Sequence, residues 1–304
     1  MKKVEFSKQN ILPLDIKEVS KIIKSGWLTH GKYTDLFEKE LRKYTKAKYS
    51  ILVSSCTAGL HLSCLAMGFK KGDEIIVPDM THTATAHAVE YTGAKAVFAD
   101  VDPITGNTNL NYIKRKITNK TKGIILVHMS GIPCQIEEIT KFCKVKRIKL
   151  IEDCAHALGS TYKRKHVGNY GQTGCFSFYP TKQIATGEGG AVITNDKQIF
   201  LKIKRLKAFG IDKDLKERKK AGVYDVKSLG YNYRMTDFQA ALGFFQLKRY
   251  KKNLIKRKKI AKKFNTLLLK TKNIKFPKYS NDNSYFIFPI LCKNRDNVLK
   301  FLKK

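Results

Sequence analysis

The stretch K-L-I-E-D-C-A-H, residues 149 to 156, decides how this chain is read. Lys149-Leu150-Ile151-Glu152 has the length and composition of a short strand, and a carboxylate, a thiol and an imidazole follow within four residues. Runs of the same kind precede it at Ile51-Leu52-Val53, Glu74-Ile75-Ile76-Val77, Ala96-Val97-Phe98-Ala99 and Gly123-Ile124-Ile125-Leu126-Val127. Two more follow, Cys175 to Phe178 and Ala191 to Thr194. The segments Gly59 to Gly68, Thr83 to Thr92, Asn109 to Ile117 and Ile136 to Val145 carry helical patterning between them. This alternation predicts an α/β fold with a mostly parallel sheet covered by helices on both faces. In such sheets ligands bind beyond the carboxyl ends of the strands, so the residues just after each run are the informative ones.

Composition bounds the rest. A chain of 304 residues with 42% hydrophobic residues can bury a large core. No apolar run approaches the ~18 residues of a membrane-spanning helix, and the first ten residues contain no signal-peptide core. A soluble, cytoplasmic protein is expected. The seven cysteines are odd in number and form no C-x-x-C pair, which argues for reduced, mostly buried thiols and against a disulfide framework or a metal site. The net charge of +35 raises nucleic acid as a partner. Its spread argues against that: the densest run, Lys251 to Lys263, keeps Leu254, Ile255, Ile260 and Ala261 at helical spacing, as a solvated helix face does. The field would still gather a substrate that carries phosphates.

Beyond the sheet, Asp237 to about Leu269 reads as one long helix, with Leu247, Tyr250, Leu254, Ala261, Phe264 and Leu268 near one face. Phe286 to Leu291 reads as the start of a strand and Asn297 to Lys304 as a helix. The division expected is a large domain over residues 1–245 and a linking helix plus the start of a small domain over 246–304, a second domain that has barely begun at Lys304 and looks truncated.

Three strand ends carry chemistry. After Val53 come Ser54-Ser55-Cys56-Thr57-Ala58-Gly59, a small hydroxylic turn opening a helix whose amides suit a phosphate or whose hydroxyls simply cap it. Asp153, after Glu152, either caps a helix or holds a protonated ring nitrogen. After Phe178 comes Lys182, with Ser177 five residues before it and Gly187, Gly189 and Gly190 beyond, where backbone passes close to a neighbour. A desolvated lysine amine has a lowered pKa and forms Schiff bases. An aldehyde-capturing lysine, an acid for a pyridinium nitrogen and a helix-terminus phosphate cradle together describe a site for pyridoxal 5'-phosphate.

The motifs G-W-L-T-H-G (26 to 31), S-S-C-T-A-G-L-H-L (54 to 62), G-D-E-I-I-V-P (72 to 78), I-E-D-C-A-H-A-L-G (151 to 159), F-S-F-Y-P-T-K-Q-I-A-T-G-E-G-G (176 to 190) and G-Y-N-Y-R-M-T-D-F-Q-A-A-L (230 to 242) resemble the DegT/DnrJ/EryC1/StrS aminotransferases, which act on nucleotide-linked keto sugars. The resemblance spans residues 5 to 291. It implies the fold of the fold-type I pyridoxal-phosphate-dependent transferases, like aspartate aminotransferase, with a seven-stranded, mostly parallel sheet. It also implies that Lys182 is the Schiff-base lysine, Asp153 the partner of the pyridine nitrogen, and Ser177 and Thr57, with the backbone at Cys56 and Ala58, the phosphate site. Cys56 stands where the family usually has glycine. His156 would meet the ring hydroxyl, and His82 takes the place of the aromatic residue that stacks on the ring, unless it is a plain loop histidine. Asn232 would reach the cofactor phosphate of a partner subunit, which makes a homodimer with shared active sites.

His128 falls at a family position near cofactor or sugar, with a contact or a structural role equally open, and Tyr179 faces the sugar in the same reading. His61 and His87 read as structural, Trp27 and Tyr231 as core aromatics, and Glu188 as a turn residue with a backbone partner. The activity implied is transamination of a nucleotide-diphospho-keto sugar by an amino acid, usually glutamate. The alternatives are a regulatory or catalytically impaired homologue that binds the cofactor, and a sugar dehydratase on the same fold. Dehydratase relatives carry histidine where this chain has Lys182.

Overall fold

The computed structural model describes residues 5–212, 220 and 222–303; the first four residues of the N-terminal stretch and Lys304 lie outside them. Two helices, α1 (Pro13–Ser25) and α2 (Lys32–Thr45), precede the sheet. Its seven strands are β1 (Tyr49–Val53), β2 (Glu74–Pro78), β3 (Lys95–Ala99), β4 (Thr121–Val127), β5 (Lys149–Asp153), β8 (Thr173–Ser177) and β9 (Gly190–Thr194), with a short hairpin of β6 (Thr161–Tyr162) and β7 (Lys165–His166) between the fifth and sixth of them. The helices between strands are α3 (Cys56–Met67), α4 (Thr83–Glu90), α5 (Leu110–Lys114) and α6 (Ile136–Lys146), and α7 (Lys197–Leu206) follows β9.

Strand order is β1-β9-β8-β5-β4-β2-β3. The pairs β2·β3, β2·β4, β4·β5 and β5·β8 are parallel, whereas β9 runs antiparallel to both β8 and β1. Parallel neighbours need a crossover: α4 supplies it between β2 and β3 and α6 between β4 and β5, while β5 reaches β8 through the segment that carries the β6–β7 hairpin; β8 and β9 are joined by a loop without a crossover helix, so they pair antiparallel. That loop carries Lys182.

Alternation along the strands divides the core between the two faces of the sheet. Ile51, Val53, Ile75, Val77, Ile125 and Ile151 pack with residues of α3, α4 and α7 on one side. On the other, Leu52, Phe176 and Ile193 meet Phe37 and Leu41 of α2 and Leu247 and Tyr250 of the long helix α8 (Asp237–Leu268), while Ile76, Ile124 and Leu126 meet α5 and α6. Each such fully buried side chain contributes about 1.5–3 kcal/mol. Six of the seven cysteines are buried in these layers.

Three expectations change. Trp27 is not a core aromatic: it is 53% exposed, with its indole N–H donating to the His30 carbonyl at 3.1 Å. The strand expected from Phe286 shrinks to β11 (Leu291–Cys292), paired antiparallel with β10 (Ile274–Lys275) and followed by α9 (Arg295–Leu302), because Phe286 is drawn back to the turn after β4, where its amide donates to the Ser130 carbonyl. The apolar face of α8 is buried at Leu247, Tyr250, Leu254 and Ala261, but Phe264 is 49% exposed, because the helix has by then run past the sheet layers. Tyr231 is half-buried and stacks on Tyr233 at 5.0 Å. No helix among the described residues is long and apolar enough to cross a membrane.

Candidate active site

A cavity of about 390 Å³ opens at the carboxyl ends of the parallel strands. Cys56, Thr57, His82, Asp153, His156, Ser177 and Lys182, which lie far apart in sequence, all line it. Ala58 and Asn232 do not. The Ala58 amide is taken by the Ser55 hydroxyl at 3.0 Å, and Asn232 lies on the 230–234 segment with its side-chain carbonyl accepting from Arg234 Nε at 3.1 Å. Tyr179 and Glu188 stand at the cavity wall, and both are exposed.

Asp153 ends β5 and is 4% exposed. Its Oδ1 accepts from the Ala155 amide at 3.0 Å, with the Cys56 thiol at 4.0 Å, and its Oδ2 accepts from the Thr85 hydroxyl at 2.9 Å. Burial raises its pKa, against the pull of those donors and of the Lys182 charge. Burial also lowers the Lys182 pKa, against the attraction of Asp153. Both groups therefore shift toward neutrality: desolvation exceeds their mutual attraction, and among the described residues no direct salt bridge joins them. The cavity holds a carboxylate with unspent demand for a cation and an amine poised as a nucleophile.

The loop between β8 and β9 fixes the amine. The Phe178 amide donates to the Gly189 carbonyl at 2.9 Å and the Thr186 amide to the Phe178 carbonyl at 2.8 Å, which closes the loop at its base. Gly187 adopts φ +81°, a turn conformation that disfavours side chains. Gly190 is required for another reason: a Cβ there would lie 2.5 Å from the Cys56 nitrogen, so only glycine lets β9 start against the first turn of α3. The Glu188 carbonyl accepts from Thr186 and Gln239, the backbone role expected of this turn residue.

Also on the cavity wall, Ser55 caps α3. The amides of Cys56 and Thr57, in the first helical turn, have no carbonyl one turn back within the helix, and the helix dipole adds positive potential there. Ser177 lies beside them on the cavity wall. His82 caps α4, with Nδ1 accepting from the Ala84 amide at 3.1 Å. His156 has its pKa pushed down to about 3 by burial, then by Lys182 and His82, so it is a neutral ring.

His128 settles on the structural side of its two readings. Val127 and Met129 line the cavity, but His128 is fully buried behind them, with its Nε2 3.0 Å from Glu152 and its Nδ1 accepting from the Cys134 amide at 3.1 Å. Burial disfavours a charge on this ring and Glu152 favours one; the amide hydrogen directed at Nδ1 decides for the neutral form. Glu152 also accepts from the amides of Gly168, Tyr170 and Gly171. His128, Glu152 and Cys154 are of metal-ligand type and lie within 4.8 Å of one another, but the acceptor atoms of the first two are committed to these bonds. His61 is buried in a nest of tyrosines.

Two contacts have no counterpart in the sequence patterns. Phe286 stacks on His156 at 4.3 Å, and the Lys182 ammonium lies 4.6 Å from the centre of the same ring. Thr85, which grips Asp153, is itself met by Thr81 at 2.7 Å.

Residues 10–304 match the family model described as the DegT/DnrJ/EryC1/StrS aminotransferase family. The chain belongs to that family. This aminotransferase is 38% identical over 262 residues to a GDP-perosamine synthase of Escherichia coli O157:H7, covering 86% of this chain and 70% of the relative. It superposes with a TM-score of 0.90 on Helicobacter pylori PseC, an aminotransferase involved in the biosynthesis of pseudoaminic acid, at 31% identity over 99% of this chain and 81% of the other. A putative sugar aminotransferase of Streptococcus pneumoniae, solved in its pyridoxal-phosphate form, superposes with a TM-score of 0.90 at 28% identity, covering 99% and 82%. The seven-stranded sheet is that of the fold-type I transferases, and pyridoxal phosphate is the cofactor of this aminotransferase.

Proposed function

We propose that this aminotransferase transfers an amino group from an amino acid, glutamate in the simplest reading, to the carbonyl of a nucleotide-linked keto sugar. The observation that carries the proposal is the placement of Lys182 and Asp153 on the wall of one cavity, the first held below the ordinary lysine range by burial. The residues fit pyridoxal phosphate: the volume is that of a small-cofactor pocket, and its wall offers a buried carboxylate together with helix-terminal amides and a serine hydroxyl.

In this reading Lys182 Nζ binds the cofactor's aldehyde carbon, Asp153 holds the proton on the ring nitrogen, and the Cys56 and Thr57 amides with Ser177 hold the phosphate. His82 covers one ring face and His156 meets the ring hydroxyl. Bound there, the cofactor supplies an electron sink for the carbanion formed at the donor's α-carbon. Lys182 Nζ would serve as the base that takes up and returns the donor's α-proton, and the same amine would serve the sugar half of the exchange. A neutral amine is needed for that, and the burial of Lys182 shifts it in that direction. A neighbouring cavity of about 470 Å³ shares Lys182 and carries Lys8, Lys256 and Arg257, which suits a substrate bearing phosphates. Asn232, on the 230–234 segment and outside the lining of its own cavity, would serve the site of a second subunit in a homodimer.

The test is an absorbance spectrum of the protein with pyridoxal phosphate, followed by glutamate and then by a panel of nucleotide keto sugars. The expected course is conversion of the visible band to the amine form by glutamate and its return with one of the sugars. A band that glutamate leaves unchanged would favour a regulator that binds the cofactor without turnover, and elimination of a sugar hydroxyl without amination would favour a dehydratase.

A further inference from the structure

Helix α4 and the residues just before it bring two threonines, Thr85 and Thr81, to the cavity beside Asp153. Thr85 is fully buried, and its hydroxyl donates to Asp153 Oδ2 at 2.9 Å instead of to a carbonyl of its own helix, the common habit of helical threonine. An ionised carboxylate only accepts, so the single Thr85 hydrogen is spent on Asp153. The Thr81 hydroxyl, 2.7 Å from Thr85 Oγ1, must therefore donate to it. Thr81 lies on the cavity wall and Thr85 behind it, so a directed chain of two hydroxyls runs from the wall to the buried carboxylate.

The geometry points to Thr85, oriented by Thr81, as a positioning residue that aims Asp153 Oδ1 into the cavity and keeps the carboxylate ionised against the cofactor's ring nitrogen. This rests on the proposed function and adds to it. One oxygen of Asp153 is pinned by Thr85 from α4, which leaves the other, held only by the Ala155 amide and a thiol 4.0 Å away, to face a ligand. The other ionisable groups facing Asp153 are Lys182 from the loop, His128 behind β4, and the thiols of Cys56, Cys154 and Cys175. The three thiols are all held neutral by burial, and His128 is neutral in its bonded form. Thr85 is thus the one hydroxyl donor that stabilises the carboxylate charge among the described residues, and burial alone would draw the shared proton from the ring nitrogen onto the carboxylate.

The experiment compares full-length wild type, Thr85→Val and Thr85→Ser, each loaded with pyridoxal phosphate labelled at the ring nitrogen, by NMR of that nitrogen and by equilibrium dialysis of the cofactor. Thr85→Val keeps the shape and removes the hydroxyl. It is expected to move the nitrogen resonance toward the neutral-pyridine position and to raise the cofactor dissociation constant about tenfold, the loss expected for one hydrogen bond to a charge. Thr85→Ser is expected to restore both to wild type. A nitrogen resonance in Thr85→Val identical to wild type overturns the inference, as does a serine variant that shifts as far as valine. If Thr85→Val does not fold, Thr81→Val, which frees the Thr85 hydroxyl to turn away, is expected to shift the resonance in the same direction by a smaller amount, and no shift there also overturns the inference. Wild-type protein that takes up no cofactor sinks the reading of the site itself, so the two failures are distinguished by that control.

Discussion

The Nζ atom of Lys182 stands 4.6 Å from the centre of the Phe286 ring, and that ring stacks on His156 at 4.3 Å. The aromatic face favours the lysine cation by about 0.5–2 kcal/mol, while the burial to which Phe286 contributes lowers the pKa of Lys182.

Phe286→Ala should therefore raise the Lys182 pKa toward the ordinary lysine value. The rate of cofactor capture near neutral pH should fall about tenfold for each unit of the rise. The check is the pH dependence of capture, followed by absorbance: its midpoint moves to higher pH in the variant. A midpoint that moves down would mean that the π contact dominates.

Glu152 and Asp153 are adjacent carboxylates with opposite duties. Glu152→Ala leaves three backbone amides and His128 without their acceptor, and is expected to cost about 3–5 kcal/mol of stability. Asp153→Asn keeps the shape and is expected to lower kcat about a hundredfold or more, with little change in the denaturation midpoint. Denaturant titration and steady-state kinetics on both variants separate the two roles, and an Asp153→Asn protein with normal turnover would remove Asp153 from the site.

Stability should fall on acidification through a defined window. In His166, Nε2 accepts from the Gly159 amide at 2.9 Å, so the ring is held neutral, and burial pushes its pKa to about 4; that of His156 lies at about 3. Unfolded, both titrate near ~6.5. Below that value the unfolded chain binds protons that the folded chain refuses, so the stability present above ~6.5 is lost as pH falls toward the folded values, by about 1.4 kcal/mol per unit for each ring. Glu152, whose burial is outweighed by its hydrogen bonds and which is held below the usual carboxylate range, adds to the loss at lower pH. Denaturant midpoints measured between about pH 7 and about pH 4 should decline steadily; a flat profile would contradict the neutral assignment.

The contact between α2 and α8 has no room to spare. A Cβ on Gly243 would lie 2.3 Å from the Phe37 ring, so Gly243→Ala is expected to destabilise by about 1–3 kcal/mol. Adding Phe37→Leu should recover part of the loss if the clash is the cause, and thermal melts of the single and double variants measure it.

The strands and their catalytic ends were legible in the sequence because burial on both faces leaves β-branched runs, and Asp153 and Ser177 stand at the ends of two of them. The N-terminus of α3 was placed late, at Gly59, because the cap is made by Ser55 and the small residues after it carry no apolar period. Thr85 was hidden for a different reason: a threonine in a helix looks like any other until its hydroxyl is seen to leave the helix for Asp153. Phe286 reaches Lys182 and His156 only through the return of the chain after α8, a tertiary contact that leaves no local pattern. Trp27 read as core because aromatic residues are usually buried, but its indole N–H has a partner at the surface in His30.

Among 60 lysines and arginines, Lys182 alone is proposed to carry the cofactor. Reduction of the pyridoxal-phosphate-loaded protein with borohydride, proteolysis and mass mapping of the modified peptide tests it most directly. A single phosphopyridoxyl group on Lys182, absent from Lys182→Ala, is expected. A stable modification on any other lysine at equal yield, or none at all in protein that binds the cofactor, would contradict it.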